Sequence, residues 1–393
     1  MKKHKKMLLA FCLFVILNIL LYLFIIRFNN LVPFDKSDYT YNAHHYLTDG
    51  RIKGEQFDFL RALGQYDAQW YLKIADSGYP DHPKNQSMDD KSYMGNLSYA
   101  FFPFYPLLIT LTDKSFNNIE LSAFIITNLL LVANFFSIYF VISSFYKPGI
   151  AIKVIFLLFL FPFSIFYRSY FTEGFLLLEI VWFSYFFIRK KWLPGALILG
   201  ASLVTRATGF FLVPIFFYEL VKQIHNKKLA ISRGIFYGFV SCIPFIIWMI
   251  YCYMHAQNFL YFMDVESKWH LHPPVVSFFY NLTTLLFTQY LPIHSFHFSQ
   301  MDNFMIVLTF LLLILSRSKI HPQLWLISFA LWFGPLLVTD TMSFSRFQVI
   351  SFPLFLYLAL FIKSKITFVV FSVFFASLLF VTSLFFVNWW WIG

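Results

Sequence analysis

The chain has 393 residues, of which 59% are hydrophobic and only 12% are charged. Soluble globular domains carry about 25% charged residues, so this composition excludes an ordinary soluble protein and predicts a polytopic membrane protein. The net charge of +11 does not indicate nucleic-acid binding, because the lysines and arginines cluster in short loops between apolar runs, as the positive-inside rule describes for cytoplasmic loops. The three cysteines lie in apolar segments and lack metal-site or redox spacing.

The first apolar run, residues 7–26, follows a short basic stretch. It is longer than a typical signal-peptide core and no small-residue cleavage site follows it, so we interpret it as a retained helix with a cytoplasmic N-terminus. Residues 27–120 are then the first extracytoplasmic loop, whose polar part, 27–98, contains more than half of the acidic residues. Residues 99–112 contain two prolines and fall short of the roughly 20 residues that a span needs, which predicts a helix lying in the membrane interface.

Apolar runs and cytoplasmic basic clusters together predict an all-α membrane protein of about 11 transmembrane helices, forming one domain over 1–393. A second large extracytoplasmic loop is predicted at 254–302, and the tryptophans at 389–391 are expected at the outer interface, where tryptophan is favoured. This topology places the tips at 168–173, 205–209 and 340–346 on the same side as Asp67. The predicted spans are 7–26, 121–145, 152–167, 172–188, 193–205, 208–222, 232–253, 303–316, 322–339, 346–362 and 366–388.

One motif in the first loop combines a carboxylate with aromatic residues. Residues 63–77 are predicted to form a short amphipathic helix on which Asp67, Trp70, Tyr71 and Ile74 follow one another at i, i+3, i+4 and i+7, and so share a face. A carboxylate held beside hydrocarbon is costly and is retained for a reason. This face therefore predicts a candidate catalytic base for a lipid-borne substrate.

An ordinary loop carboxylate is the alternative interpretation of Asp67, and helical spacing alone does not separate the two. Asp76, about half a turn away on the opposite face, is expected to meet solvent. Glu173 begins an apolar helix, where a carboxylate interacts favourably with the helix dipole. It is therefore either a helix-start residue or a functional one.

Isolated arginines at the other external tips invite two interpretations. Arg206 and Arg346 are expensive beside the membrane unless they have a partner. A phosphate would suit a guanidinium, which binds it in a bidentate manner, but a structural ion pair of Arg206 with Glu173 or Asp67 is equally compatible with the pattern. Arg168 is interpreted as an anchor at the membrane interface.

Metal binding and transport have weaker signals. His270 and His272 lack a third nearby ligand, so we predict solvated histidines and no metal. Glu179 and Glu219 lie inside apolar runs, as a transporter would require, but each is close enough to a predicted cytoplasmic end to reach the interface. No nucleotide-binding or nucleophile motif is present in the sequence.

Four motifs follow one another along the chain. They are Asp67-Ala-x-Trp-Tyr-x-x-Ile-Ala-x-x-Gly-Tyr79, Ala100-Phe-Phe-Pro-x-x-Pro106, Pro162-x-Ser-x-Phe-x-x-x-Tyr170-x-x-Glu173 and Thr205-Arg-x-x-Gly209. Together they resemble the GPI mannosyltransferase 2 (PIG-V) family and its bacterial relatives, integral-membrane glycosyltransferases of the GT-C fold. Weaker similarities are Trp269 before Pro273 and Arg346 before Pro353, and the family's usual Trp before the aspartate is Tyr66 here.

This resemblance implies a GT-C fold and an inverting sugar transfer, of mannose or another hexose. The donor would be a polyprenyl-phosphate sugar, and the acceptor a glycolipid or a cell-surface glycan. It implies Asp67 as the base, and Arg206 and then Arg346 as ligands of the donor phosphate. No cofactor or metal is predicted. Glu173 would orient Arg206 or bind a sugar hydroxyl. The remaining substrate-binding candidates are Trp70, Tyr71, Tyr170 and Trp269.

The expected location is a bacterial plasma membrane, with the active site on its extracytoplasmic side and the lipid bilayer as a partner. A transporter or a flippase of lipid-linked sugars is the alternative function. A non-catalytic membrane assembly subunit is a third possibility. The sequence does not indicate a partner subunit.

Overall fold

The computed structural model of this chain describes residues 2–43, 46–81, 97–223, 227–267, 274–287, 299–339 and 341–392. Those residues form α-helices and short 3₁₀ segments joined by loops, with no β-strand among them. The predicted all-α class is therefore confirmed. The helices are α1 (Lys2–Phe28), α2 (Lys36–Asn42), α3 (Phe59–Ala62), α4 (Ala68–Ser77), α5 (Phe104–Phe116), α6 (Ile119–Ser143), α7 (Pro148–Phe159), α8 (Glu173–Ile188), α9 (Trp192–Leu203), α10 (Val213–Gln223), α11 (Lys227–Ala256), α12 (Tyr261–Glu266), α13 (Pro274–Phe287), α14 (Ser299–Ser316), α15 (Pro322–Val338), α16 (Phe344–Phe347), α17 (Phe352–Phe361) and α18 (Lys365–Val387).

Four helices of the described chain are long and apolar enough to cross a membrane: α1, α6, α11 and α18. A fifth crossing is possible if the bent pair Phe344–Ile350 and Phe352–Phe361 counts as one span. The fold is thus that of an α-helical membrane protein. Other apolar helices, such as α7 and α9, have 12 residues each, so the count of 11 spans and the orientation stay predictions.

Proline explains why two predicted spans are not continuous helices. The helix expected over 152–167 ends at Phe159, and a 3₁₀ segment, Pro162–Tyr167, follows. The helix expected over 346–362 is bent by 75°, and its second part begins just before Pro353. Proline lacks an N–H group and its ring clashes with the carbonyl four residues earlier, so a helix cannot continue through Pro353, and the chain breaks at Ser351, whose ψ is 58°.

Close helix contact in the core depends on small residues. Helix α9 packs between α8 and α11, and a Cβ on Gly200 would lie only 2.7 Å from the Ser241 carbonyl oxygen. Glycine therefore permits the backbones of α9 and α11 to approach, as small residues do in membrane helix pairs.

The acidic first loop is bound to the segment that follows α18. Arg51 donates hydrogen bonds to Asn388 Oδ1 at 2.6 Å and to the Val387 carbonyl at 2.8 Å. Trp389 Nε1 donates to Asp49 Oδ2 at 3.1 Å. The Arg51 guanidinium also bonds Asp49, which outweighs burial and lowers the pKa of that carboxyl. Trp389 is only 1% exposed, so its ring packs inside the protein, and the location of this segment at the outer membrane interface stays a prediction.

Arg168 is a buried structural residue rather than the predicted interface anchor. Its side chain is 2% exposed. Nε donates to Asn18 Oδ1 at 2.7 Å, and the two terminal nitrogens donate to the carbonyls of Ser164 and Phe159 at 2.8 and 3.0 Å. These bonds tie α1 to the irregular segment after α7, because a guanidinium can offer five N–H donors in fixed directions.

Candidate functional site

Four charged side chains from distant parts of the sequence form one continuous network. Arg346 Nη1 lies 2.9 Å from Asp67 Oδ2, and its Nε lies 3.0 Å from Glu173 Oε1. Arg206 Nη1 lies 2.6 Å from the same Glu173 oxygen and donates to Thr172 Oγ1 at 3.1 Å. The two predicted carboxylates and the two predicted arginines therefore meet in an alternating chain, Asp67–Arg346–Glu173–Arg206.

The members of the network lie at or near the junctions between helices and the segments that join them. Asp67 immediately precedes α4, and Glu173 is the first residue of α8. Arg206 lies in extended backbone between α9 and a 3₁₀ segment, and Arg346 lies in the short helix α16. The predicted helix over 63–77 thus begins later than expected, at Ala68, and leaves Asp67 at its start.

Arg346 is enclosed at the centre of the network. Its side chain is 6% exposed, and its guanidinium carbon lies 5.3–5.6 Å from the ring centroids of Phe166, Phe171, Phe347 and Trp391. Cation–π contacts of this kind gain strength when the cation is desolvated. Carboxylates and rings occupy the surroundings of Arg346, an arrangement that favours a structural role for its charge.

Asp67 and Arg206 are the more accessible members, with side chains 23% and 13% exposed. Among the described residues, none donates a hydrogen bond to Asp67 Oδ1, and none accepts one from Nε or Nη2 of Arg206. Glu173, at 1% exposure, is buried between the two arginines. The buried ion pair of Glu173 and Arg346 thus connects a carboxylate and a guanidinium that each keep hydrogen-bonding atoms available.

A further carboxylate, Glu266, lies near enough to this network to interact with the charges of Arg206 and Asp67. It is the last residue of α12, whose Val265 packs in one apolar cluster with Val204, two residues before Arg206. Burial raises the pKa of Glu266 from 4.5 to about 7, the positive charge of Arg206 lowers it, and the negative charge of Asp67 raises it again. Sequence reasoning missed this residue, because Glu266 lies in a charged loop where no periodicity sets it apart.

The predicted sugar-stacking aromatics are packed inside the protein. Trp70 is 2% exposed and stacks on Phe101 with centroids 5.7 Å apart. Tyr71 is 4% exposed, and its hydroxyl lies 3.4 Å from Thr172 Oγ1. Burial raises the pKa of the Tyr71 hydroxyl well above its ordinary value. Both residues pack in the buried part of the helix that follows Asp67, and direct contact of either with a sugar stays a prediction.

Tyr170 is fully buried, and its backbone N–H donates to the Leu63 carbonyl at 3.2 Å. Its hydroxyl is buried without a hydrogen-bond partner in the described structure. Tyr170 therefore supports the loop before Asp67, and the structure gives no sign that it reaches a substrate. Trp269, the last predicted contact, lies outside the described residues.

The arrangement can perform proton transfer and anion stabilisation. Within the described ranges no group of three or more metal-ligating side chains occurs. Asp76 is exposed, as predicted, and accepts a hydrogen bond from Ser77. The candidate groups for such chemistry are the carboxylate of Asp67 and the guanidinium of Arg206, with the carboxylate of Glu266 nearby.

Comparison of the chain with protein-family models, with curated proteins and with solved structures finds no match. Function must therefore be inferred from the residues of the site. The geometry that bears on it is the ion network and the accessible atoms at its edge.

Proposed function

We propose that the protein is an inverting, membrane-embedded glycosyltransferase of the GT-C type that uses a polyprenyl-phosphate sugar as donor. The observation that carries this proposal is that the buried Glu173–Arg346 ion pair connects Asp67 at one end to Arg206 at the other. A sugar transfer from a lipid phosphate needs a base for the acceptor and a cation for the leaving phosphate. Asp67 and Arg206 have the chemistry for these two tasks.

In the proposed reaction, the acceptor hydroxyl attacks the anomeric carbon of the donor sugar, and Asp67 Oδ1 takes its proton. The bond between the anomeric carbon and the phosphate oxygen breaks with its electrons on the phosphate, and inversion follows from this single displacement. Arg206 stabilises the released phosphate through Nε and Nη2, the donors that Glu173 and Thr172 do not use. The leaving group is already an anion of low basicity, so a strong general acid is not required.

Glu173 and Arg346 fix the positions of Asp67 and Arg206 relative to each other. Glu173 contacts both arginines, and Arg346 contacts both Asp67 and Glu173. Because Arg346 is enclosed by rings, we assign it to the orientation of Asp67 in preference to binding the donor phosphate. A preorganised charge needs no rearrangement as the transition state forms.

The proposed setting is a plasma membrane, with about 11 spans and the site on the extracytoplasmic face. The acceptor would be a glycolipid or a surface glycan, and the sugar mannose or another hexose. Reporter fusions at Ser115 and at Lys190 test this topology, which expects them on opposite sides of the membrane. Reporters on the same side would remove the interfacial placement of the helix that contains Ser115.

The direct test is sugar transfer in membranes supplied with a radiolabelled polyprenyl-phosphate mannose. Asp67→Asn should abolish transfer while protein levels stay unchanged, and Arg206→Ala should abolish donor use. Asp76→Asn is the matched control, because this carboxylate lies on the same helix but is exposed. Full transfer by the Asp67 variant would disprove its role as the base, and normal donor use by the Arg206 variant would disprove the phosphate role.

One observation favours the alternative of a transporter or flippase. Glu179, inside α8, is 4% exposed; its Oε1 accepts from Thr205 at 2.9 Å, and its Oε2 is buried without a partner among the described residues. Buried ionisable groups inside membrane helices often serve ion or substrate pathways. The corresponding test is translocation of a fluorescent lipid-linked sugar in liposomes that contain the protein. If the protein is a transporter, translocation should exceed background and Glu179→Gln should abolish it. If the protein is a transferase, translocation should stay at background.

A further inference from the structure

The segment that carries Arg346 has an unusual backbone. Ser343 precedes α16 with φ 66° and ψ 13°, in the left-handed region. A non-glycine residue in that region is strained and persists only where the surroundings hold it. Something outside the segment must therefore fix its conformation.

Asp302 supplies that support from the first turn of α14. Its Oδ2 accepts a hydrogen bond from the backbone N–H of Ser343 at 3.0 Å, and its Oδ1 accepts one from the N–H of Ser345 at 2.7 Å. Asp302 is 2% exposed. Both carboxylate oxygens are thus engaged by two N–H groups of one turn, and hydrogen bonds to a charged acceptor are the strong ones.

We infer that Asp302 is a positioning residue for the candidate active site, acting through the turn that it binds. Arg346 follows Ser345 directly and reaches Asp67 Oδ2 at 2.9 Å. The chain of contacts runs from Asp302 to the turn, from the turn to Arg346, and from Arg346 to Asp67. This inference rests on the proposed function, because it gives Asp302 a part in orienting the proposed base.

The expected effect is on turnover more than on donor affinity. A displacement of about 1 Å in a reacting group costs on the order of 100-fold in rate. Arg206, the proposed phosphate ligand, lies on a different element, so the loss of Asp302 should not displace it. Asp302→Ala should therefore lower kcat by about that factor and leave the donor KM nearly unchanged. Asp302→Asn keeps one acceptor oxygen and should recover part of the loss. Asp76→Ala is the control for removing an exposed carboxylate.

A second measurement does not depend on sugar transfer. Ser345 is fully buried, so a Ser345→Cys variant reports whether the turn is closed. In a background without Cys12, Cys242 and Cys252, alkylation by N-ethylmaleimide should be slow with Asp302 present. It should become at least about tenfold faster with Asp302→Ala, because about 1.4 kcal/mol of lost support corresponds to a factor of ten in the open population. The Asp302→Asn rate should be intermediate.

The outcomes separate the two claims. Unchanged alkylation in the folded, monodisperse Asp302→Asn and Asp302→Ala proteins would overturn the inference, whatever the activity. Faster alkylation with unaltered kcat would overturn it as well, since the turn would then not control the site. Faster alkylation together with a lowered kcat supports it. If the unmodified protein transfers no sugar at all, the proposed function fails, while faster alkylation still supports the positioning of the Arg346 turn.

Discussion

Arg346 is the residue on which the stability of the ion network depends most. Arg346→Met fills a similar volume but removes the cation between Asp67 and Glu173. Breaking a buried ion pair from one side costs about 3–5 kcal/mol, because a charge is left buried without compensation. Asp67 is partly exposed and can regain water, and Glu173 keeps Arg206 at 2.6 Å. We therefore expect the lower end of that range, about 3 kcal/mol.

Glu173→Gln should cost less, about 2 kcal/mol, because Arg346 retains Asp67 and Arg206 retains Thr172. If the two residues acted independently, the double variant would lose the sum, about 5 kcal/mol. In the double variant, however, no Glu173 carboxylate remains that has lost one of its two cations, so the double variant should lose only about 3 kcal/mol. The expected coupling energy is thus about 2 kcal/mol.

The assay is reversible unfolding in dodecyl maltoside micelles with a rising mole fraction of SDS, followed by tryptophan fluorescence. Arg233→Met is the matched control, because Arg233 is exposed and such substitutions change the free energy of unfolding by about 0.5 kcal/mol or less. An Arg346 variant as stable as this control, or a double variant that loses the full sum, would refute the network.

Three further outcomes are expected from the same unfolding assay. The unfolded chain releases the Glu266 proton near pH 4.5 and the folded protein near pH 7, so the free energy of unfolding should decrease as the pH rises from 4.5 to 7. Glu266→Gln should remove that decrease, and the same pH slope in the variant and the unmodified protein would contradict the burial of the Glu266 carboxyl. Gly334→Ala places a Cβ 2.2 Å from the Phe211 ring and should cost about 1–3 kcal/mol, whereas Gly149→Ala, with nothing within 4 Å, should not; equal stability of the two would refute this contact. Trp391→Ala should cost about 2 kcal/mol through lost contacts with Arg346 and Tyr66, and Trp391→Phe should cost less because it keeps a ring; no difference between them would exclude a ring contribution.

Charge in an apolar chain was the most informative sequence signal. The predicted topology puts Asp67, Glu173, Arg206 and Arg346 on one side of the membrane, and ionisable residues are rare in such a chain and each needs a partner. Their contact in one network agrees with that expectation. The sequence left open which carboxylate pairs with which arginine, because that depends on packing between segments far apart in the chain.

Long-range packing also explains what could not be predicted. Arg168 was expected at the interface, but its partner Asn18 lies 150 residues earlier, and no local pattern reveals that bond. Asp302 binds backbone N–H groups, which carry no sequence signature. Helix ends at Phe159 and Ser351 follow from Pro162 and Pro353, and closer attention to these prolines would have shortened the predicted spans.

The packing of residues 388–392 against the first loop has a consequence for biosynthesis. Trp391 covers Arg346 and contacts Tyr66, next to Asp67, while Asn388 binds Arg51. During synthesis these residues leave the ribosome after every helix of the described chain. The site therefore lacks these contacts until residues 388–392 have been made. A nascent chain that ends before residue 388 would hold Asp67 and Arg346 without the packing that this segment supplies.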